Sequence, residues 1–544
     1  MNWKLTYILL VLFFGSIQHA FSEDEKKVKA VKFGGSASLS NSFYNSNGIA
    51  PRQPGNTQMG IIRANVSLFE VVELPFELYY SSGQFGYQQP FNQFGVSPRI
   101  SNWLTLHAGY FSTQMSDFTF GDLRMMGGGF ELTPGKFRLK AIYGRTRQKV
   151  EPNRVSYAPE VYRQNAYAAS IGYGDMSKSY FNINLFHAID DSTSITTDSL
   201  SITPNENLVA SFDFGISFGQ YVSLRGEAGV SAFSLNTGAS KIDDIPMPEL
   251  LFTPNYSSMV DGAAKLNLSI NPSKYWSLIL SSRYVGPGFN TLGYALMPND
   301  LMEFIVAPRF RLFKNKLNIR SKAGIRYNNL RDNKQSTTSR FTGMFAVNWQ
   351  INRNAGLDAN YNNNQIESLH KNDTLRLSNV YQSFSLTPRF NFDALGGTNN
   401  VVLTYSYQDV SDKNVYTKEI QENNTNTLTF IYSLSRPNSL ALTTSAMYNN
   451  TNMGQIDSRI FHFSESASYR FFKNKLSASL SLGANFVNVI DNSRQFVFRL
   501  NSSYRFGKFG TLGFFVTNNS FREAGTIARN YNEVYGSIQY NVSF

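Results

Sequence analysis

Apolar and polar residues alternate along most of this chain. Between residues 476 and 486, every even position is leucine, alanine or phenylalanine, and every odd position is serine, glycine or asparagine. A period of two predicts β-strands, because successive side chains of a strand point to opposite faces. Small polar residues on the second face favour a transmembrane barrel, with apolar side chains towards lipid and polar ones towards a lumen. A soluble sandwich, which buries its apolar face in a core, is the alternative.

The connections between these segments differ in length. Short connections are 219–220, 272–274, 314–316, 473–475 and 507–510, and long polar ones are 190–207, 236–257, 286–301, 363–378, 409–424 and 519–530. Outer-membrane barrels combine short periplasmic turns with long external loops. We therefore predict an all-β, transmembrane antiparallel barrel of about 26 strands, within 24–28. Alternation begins at about Phe33, which leaves no room for a separate plug domain, so inward-folded loops or another polypeptide should occlude so wide a lumen.

Composition agrees with a folded, exported protein. The 544 residues include 45 Phe and 30 Tyr but no Cys, which excludes a disulfide framework and lipoprotein processing. A mean hydropathy of −0.28 excludes a bundle of membrane helices. Residues 1–22 have the features of a secretory signal peptide: a basic Lys4, a short apolar run and a small-residue cleavage site. We expect the barrel to occupy residues 23–544.

The last strand carries a second export feature. Ile538, Tyr540, Val542 and Phe544 alternate with polar residues up to the final aromatic side chain. This pattern resembles the C-terminal signal that the assembly machinery of outer-membrane barrels reads. We therefore expect the protein in the cell outer membrane, with membrane lipids and the barrel-assembly machinery as partners.

Residues suited to catalysis or cofactor binding are sparse. The part after residue 22 has four histidines, His107, His187, His370 and His462, and none forms a metal-spaced pair. His107 and His462 fall on predicted strands, where we expect a lumen-facing structural role. The sequence has no nucleophile elbow or phosphate loop. We predict no enzymatic activity, no cofactor, no bound metal and no nucleic-acid partner.

A basic triplet of the form Pro/Tyr, Arg, Phe/Ile recurs at 98–100, 308–310, 388–390, 469–471 and 504–506. Alternation turns each arginine into the lumen, near a short turn. The candidate basic ring consists of Arg99, Arg309, Arg311, Arg320, Lys322, Arg326, Arg389, Arg470 and Arg505. Such a ring would lower the barrier for anions and bind phosphate or carboxylate groups. Acidic residues are predicted mostly outside the strands, which agrees with a basic lumen.

The alternative is that these arginines only hydrogen-bond neighbouring walls, inward loops or turn carbonyls. Their repetition would then be inherited from hairpin duplication, because the segments 313–317 and 472–476 both read FKNKL.

Several segments in the first part of the chain resemble outer-membrane barrels common in Bacteroidota. They are PFNQFGVSPR at 90–99, TLHAGY at 105–110, LTPGKFR at 132–138 and YGR at 143–145. The resemblance implies no defined substrate, although some large barrels of that phylum serve gliding and protein secretion. We hypothesise a channel or transporter that favours anionic solutes. The alternatives are a structural or accessory barrel occupied by a partner, as in type 9 secretion or surface assembly, and, more distantly, an outer-membrane hydrolase.

Overall fold

The computed structural model describes residues 31–68, 72–82, 93–121, 123–151, 160–195, 202–244, 248–370, 372–412, 423–437, 440–454, 456–489, 492–525 and 529–544. The predicted signal peptide, residues 1–22, lies outside the described residues. Within them, two one-turn 3-10 helices, Asp373–Leu375 and Gly507–Phe509, accompany a structure that is otherwise strands and connections. No helix of the described part is long and apolar enough to cross a membrane.

The strands follow the alternating segments of the sequence. They are β1 (Val31–Asn47), β2 (Asn56–Leu68), β3 (Val72–Ser81), β4 (Gln93–Val96), β5 (Arg99–Ile100), β6 (Leu104–Phe111), β7 (Met125–Leu132), β8 (Phe137–Arg147), β9 (Arg163–Gly174), β10 (Tyr180–Asp191), β11 (Glu206–Phe218), β12 (Val222–Ser234), β13 (Ser258–Ser273), β14 (Trp276–Val285), β15 (Leu301–Leu312), β16 (Leu317–Tyr327), β17 (Ser336–Gln350), β18 (Ala355–His370), β19 (Leu377–Ala394), β20 (Gly397–Asp412), β21 (Asn423–Ser435), β22 (Leu440–Met453), β23 (Ile456–Phe471), β24 (Leu476–Asn488), β25 (Asn492–Arg505), β26 (Thr511–Glu523) and β27 (Tyr531–Ser543).

Each strand pairs antiparallel with its neighbours in the chain, and β27 pairs with β1, so the sheet closes into a barrel. β4 and β5 both lie between β3 and β6, with Pro98 between them, where no backbone N–H is available for the ladder. The described strand segments therefore form 26 wall strands, which confirms the predicted number. At the seam, the N–H of Gly35 donates to the Phe544 carbonyl at 2.7 Å, and the rings of Phe33 and Phe544 stack at 5.1 Å.

The outer face of the wall is apolar. Tyr143, Ile183, Val230 and Val260 each expose more than half of their surface on this face. The alternate positions carry serine, asparagine and charged side chains and face the lumen. A closed ladder leaves no unpaired strand edge, which a lipid environment requires. Within the described residues, the lumen holds no separately folded plug domain, as predicted.

The two ends of the barrel differ. We call the end with the connections 219–221, 313–316 and 472–475 the turn rim, and the opposite end, with 112–121 and 286–300, the loop rim. The predicted difference in length holds for 286–300 and for 235–257. It is wrong for two connections at the loop rim, because β22 and β23 are joined by two residues and β24 and β25 by three.

Several predicted long loops are also shorter than expected. β18 continues to His370, β20 to Asp412 and β26 to Glu523. Each of these extensions is rich in polar residues, which is typical of a loop when the sequence is considered alone. The ladder with the neighbouring strand holds them extended above the apolar band.

The two FKNKL turns adopt the same conformation. Phe313, Lys314 and Asn315 all have positive φ, between 51° and 69°, and Phe472, Lys473 and Asn474 match them with 53° to 66°. Three consecutive left-handed residues other than glycine are unusual. The shared conformation agrees with hairpin duplication, which stays a prediction.

Candidate functional site in the barrel lumen

Two connections from the loop rim fold into the barrel. We call these stretches, 112–121 and 286–300, the interior segments. Phe118, Phe120 and Phe289 are fully buried, and the Phe118 ring meets the Phe289 ring edge-on at 5.7 Å. Their apolar core includes wall residues from β6 to β15, such as Phe186 and Val209. Within the described residues, β16 to β27 contribute nothing to this core, so the lumen is filled from one side.

A buried carboxylate anchors the first interior segment. Glu227 on β12 is 3% exposed and accepts hydrogen bonds from the backbone N–H groups of Asp117 and Phe118, each at 3.1 Å. Lys265 on β13 lies 3.3 Å from Glu227 and also pairs with Asp117. A buried charge is tolerated when it is paired and hydrogen-bonded, so this cluster fixes the segment against the wall.

Two further wall residues anchor the second interior segment. The side-chain amide of Asn207 accepts from the Leu292 N–H at 2.9 Å and donates to the Asn290 carbonyl at 3.1 Å. Asp261 accepts from the Gly288 N–H at 2.8 Å and forms an ion pair with Arg331 at 2.7 Å. Polar groups of the wall therefore satisfy the backbone of the segment where the regular ladder is absent.

Asp300, at the end of the second interior segment, connects it to the next loop. Burial alone raises the pKa of this carboxyl group, but its hydrogen-bond donors outweigh that effect and hold the pKa below its usual value. The donors are the Lys334 ammonium, the Leu330 N–H at 2.9 Å and the Asn329 N–H at 3.0 Å. The carboxylate is therefore ionised at neutral pH and joins the two loops.

The described parts of the connection between β12 and β13, residues 235–244 and 248–257, contact the outer face of the wall. Its Thr253 N–H donates to Glu206 at 3.3 Å, and its Leu250 carbonyl accepts from the Tyr167 hydroxyl at 2.6 Å. Glu206 and Tyr167 lie on the outer face near the loop rim, where Glu206 also contacts His187 at 3.1 Å. Of the predicted long loops, 286–301 thus occludes the lumen and 236–257 contacts the outside of the wall, whereas the interior segment 112–121 was not among the predicted long loops.

The predicted basic ring is densest on β15 and β16. Arg309 lies directly opposite Arg320, with Arg311 two positions further towards the turn rim. Phe310, next to Arg309, exposes 41% of its surface on the outer face, which leaves Arg309 on the lumen face. Lys322 and Arg326 continue the lumen face of β16 towards the loop rim.

The other ring members lie apart from this group. Arg389 on β19 is compensated by Asp358, at 2.8 Å. Arg470 and Arg505 end β23 and β25 at the turn rim, and Arg99 lies on the far side, opposite Thr105. The arginines therefore form one cluster and several separate positions near the rim.

The expectation that acidic residues lie mostly outside the strands is wrong. A row of directly paired lumen positions crosses seven strands, β11 to β17: Asp213, Glu227, Lys265, Arg283, Glu303, Arg326 and Arg340. Alternation alone does not distinguish a carboxylate in a strand from one in a loop when the strand ends are misplaced. The row begins acidic at β11 and ends basic at β17.

Part of the lumen face from β23 to β27 carries a row of neutral amides. Asn485 donates to Gln495 at 2.7 Å, and Gln495 donates to Asn519 at 2.8 Å. His462 lies on the same face and hydrogen-bonds Asn485, which agrees with its expected structural role. The row of directly paired charges thus lies on β11 to β17, whereas Arg470, Arg499 and Arg505 are separate basic positions on β23 and β25.

His107 lies between a serine and a carboxylate. Its Nδ1 is 2.9 Å from the Ser97 hydroxyl, and its Nε2 is 3.2 Å from Glu131. The carboxylate is shared with Thr113, at 2.6 Å, and with Lys140, at 3.0 Å. The ring stacks on Phe111, and the side chain is 8% exposed. Neighbouring groups therefore cover the imidazole.

A closed antiparallel wall that is apolar outside and polar inside defines an integral outer-membrane β-barrel. This protein is located in the outer membrane, and its fold is that of Gram-negative barrel proteins.

No protein-family model and no curated protein matches this sequence. Among solved structures, the chain is similar to the ferric preacinetobactin receptor BauA of Acinetobacter baumannii, with 9% identity, a TM-score of 0.39, and coverage of 94% of this chain and 80% of the receptor. It is also similar to the translocation pore of the P pilus usher PapC, with 11% identity, a TM-score of 0.39, and coverage of 94% and 99%. OpdK of Pseudomonas aeruginosa, solved with vanillate, has 11% identity and a TM-score of 0.31 over 63% of this chain and 93% of its own. These likenesses concern the fold alone.

Proposed function

We propose that the protein is an outer-membrane channel that favours anionic solutes. One observation carries this proposal: Arg309 and Arg320 face each other across β15 and β16, and neither has an acidic partner within ion-pair distance among the described residues. Like charges directly opposite each other on a sheet are unfavourable. An anion that passes between them relieves this repulsion, so the cluster lowers the barrier for negative solutes.

The filling of the lumen supports a conducting path. The interior segments pack against β6 to β15, while β16 to β27 keep a polar inner face. A barrel of 26 strands encloses more space than the 16- to 18-stranded porins, which already hold an aqueous channel. The proposed path runs between the interior segments and this uncovered wall, with the arginine cluster beside it.

Ion selectivity in a planar lipid bilayer tests the proposal. Purified protein in a gradient of KCl should carry a steady current whose reversal potential lies towards the chloride equilibrium potential. A cation-selective current would refute the anion preference. If no current is seen and a second polypeptide co-purifies from native membranes, the barrel is instead occupied by a partner, as in a secretion or surface-assembly complex of Bacteroidota.

We propose a structural role for His107 and no hydrolytic activity. Neighbouring groups cover the His107 ring, and the residues around Glu131 fix the imidazole in place. A fluorophosphonate probe should therefore leave Ser97 unmodified in the folded barrel, with a serine hydrolase as the positive control. Covalent labelling that Ser97→Ala abolishes would reverse this assignment.

A further inference from the structure

A small pocket opens on the lumen face around Gly324. It has a volume of 260 Å³ and is lined by residues of β15 to β18, among them Glu303, Lys322, Arg326, Arg340, Thr342 and Asn364. We propose that this pocket binds a small dianion through carboxylate or phosphate oxygens. The biological role of the site rests on the proposed channel function, whereas binding itself can be measured without conductance.

Strand register builds the pocket from three neighbouring rows. In the central row, Gly324 lies opposite Thr342, which in turn lies opposite Asn364. Above it, Arg326 lies opposite Arg340, and below it Lys322 occupies the next lumen position of β16. Because Gly324 has no side chain, the space between Lys322 and Arg326 stays open.

The charges of the pocket are not balanced by the protein. Three cations, Lys322, Arg326 and Arg340, surround it, against the one carboxylate of Glu303. None of the three cations has an ion-pair partner within 4.0 Å among the described residues, although Glu303 lies directly opposite Arg326 in the register. Two arginines in direct opposition repel each other. A ligand with two negative charges would neutralise the excess.

The remaining donors fit oxygen-rich ligands. Guanidinium groups bind carboxylates and phosphates through two parallel hydrogen bonds. The Thr342 hydroxyl and the Asn364 amide add neutral donors at the centre of the pocket. A volume of 260 Å³ is below that of typical drug-sized sites, which indicates a small acid or a phosphate group.

Titration calorimetry of detergent-solubilised protein tests the site, with succinate and inorganic phosphate as probes and acetate as the monoanion. Succinate, phosphate or both should bind saturably, and acetate more weakly. Arg340→Gln and Arg326→Gln should each weaken binding about tenfold, the loss expected for a charge-assisted hydrogen bond. Gly324→Leu should abolish it by filling the space without changing any charge. Arg499→Gln, an arginine change on β25 in the opposite part of the wall, is the matched control and should bind as the parent does.

The two dianions identify the source of the ligand chemistry: binding of succinate alone indicates organic acids, and binding of phosphate alone indicates phosphate or its esters. Each variant is first checked for its heat-dependent shift in gel mobility, which shows that the barrel has folded. Equal affinity in the parent, Arg340→Gln and folded Gly324→Leu would overturn the proposal. So would no binding by the parent, even if the channel prefers anions. Binding without conductance would instead refute the channel and leave the site intact.

Discussion

Reversing Arg309, Arg311 and Arg320 to glutamate is expected to convert the channel from anion preference to cation preference. These three side chains form the densest part of the basic cluster and lie on the lumen face of two neighbouring strands. Replacing them changes the sign of the local potential, and selectivity follows the charge that lines a constriction. The reversal potential in a KCl gradient should move from the chloride side to the potassium side. The shift should be larger at low salt, where charges are screened less.

The matched control for this variant is the triple change of Lys314, Lys316 and Lys473 to glutamate. These lysines lie in exposed turns at the same rim and change the net charge by the same amount. They lie in the turns and not on the lumen face of a strand, so we expect a much smaller change in selectivity. If both triple variants shift the reversal potential equally, net charge at the rim determines selectivity and the cluster has no special role.

Removing the second interior segment should have the largest effect on conductance. Replacing residues 287–299 by a short glycine-serine linker deletes the rings of Phe289 and Leu292 from the core that fills the lumen. Phe118 then loses its aromatic partner, so the first interior segment should loosen as well. Single-channel recordings should show a several-fold higher conductance and weaker ion selectivity.

A deletion of equal length outside the lumen provides the control. Residues 242–254 belong to the connection that covers the outer face beside Glu206 and Tyr167. Shortening this connection should leave single-channel conductance unchanged. An unchanged conductance after removal of 287–299 would mean that the interior segments do not limit the pore.

The sequence was sufficient to predict the barrel and its strand number. A period of two is a local property, and it persists in strands such as β24 and β25 regardless of what surrounds them. The predicted loop bounds were less accurate. Polar strand ends, such as the last residues of β18, resemble loops when the pairing strands are not considered. Pairing with β17 and β19 decides their conformation.

The sequence contains a signal for the interior segments. Phe118, Phe120, Phe289 and Leu292 are apolar residues in long connections, where exposed loops would be polar. Their burial could therefore have been suspected. The packing of the interior segments against β6 to β15 could not be predicted. It depends on which side chains of distant strands face the lumen at the same height.

For the candidate functional residues, too, the sequence predicts the face of the strand but not the cross-strand neighbours. Alternation predicts that the triplet arginines lie on the inner face, and at β15 the exposed Phe310 lies on the outer face beside Arg309. It could not reveal that Asp358 compensates Arg389, or that Arg340 lies opposite Arg326. Cross-strand register is set by turn geometry and by the ladder as a whole, so neighbours of this kind become visible only in three dimensions.

The seam between β1 and β27 has a consequence for biogenesis. β1 is synthesised before β27. The backbone N–H and C=O groups on the outer edge of β1 therefore stay unpaired until β27 has formed. Throughout translation and transit, that edge is a template on which a second nascent molecule could assemble. Pairing of β1 with β27 also joins the two strands that are furthest apart in sequence. Because such distant contacts form slowly, closure of the barrel is an intrinsically slow step. Shielding of β1 until β27 arrives is thus a requirement that this architecture imposes on the cell.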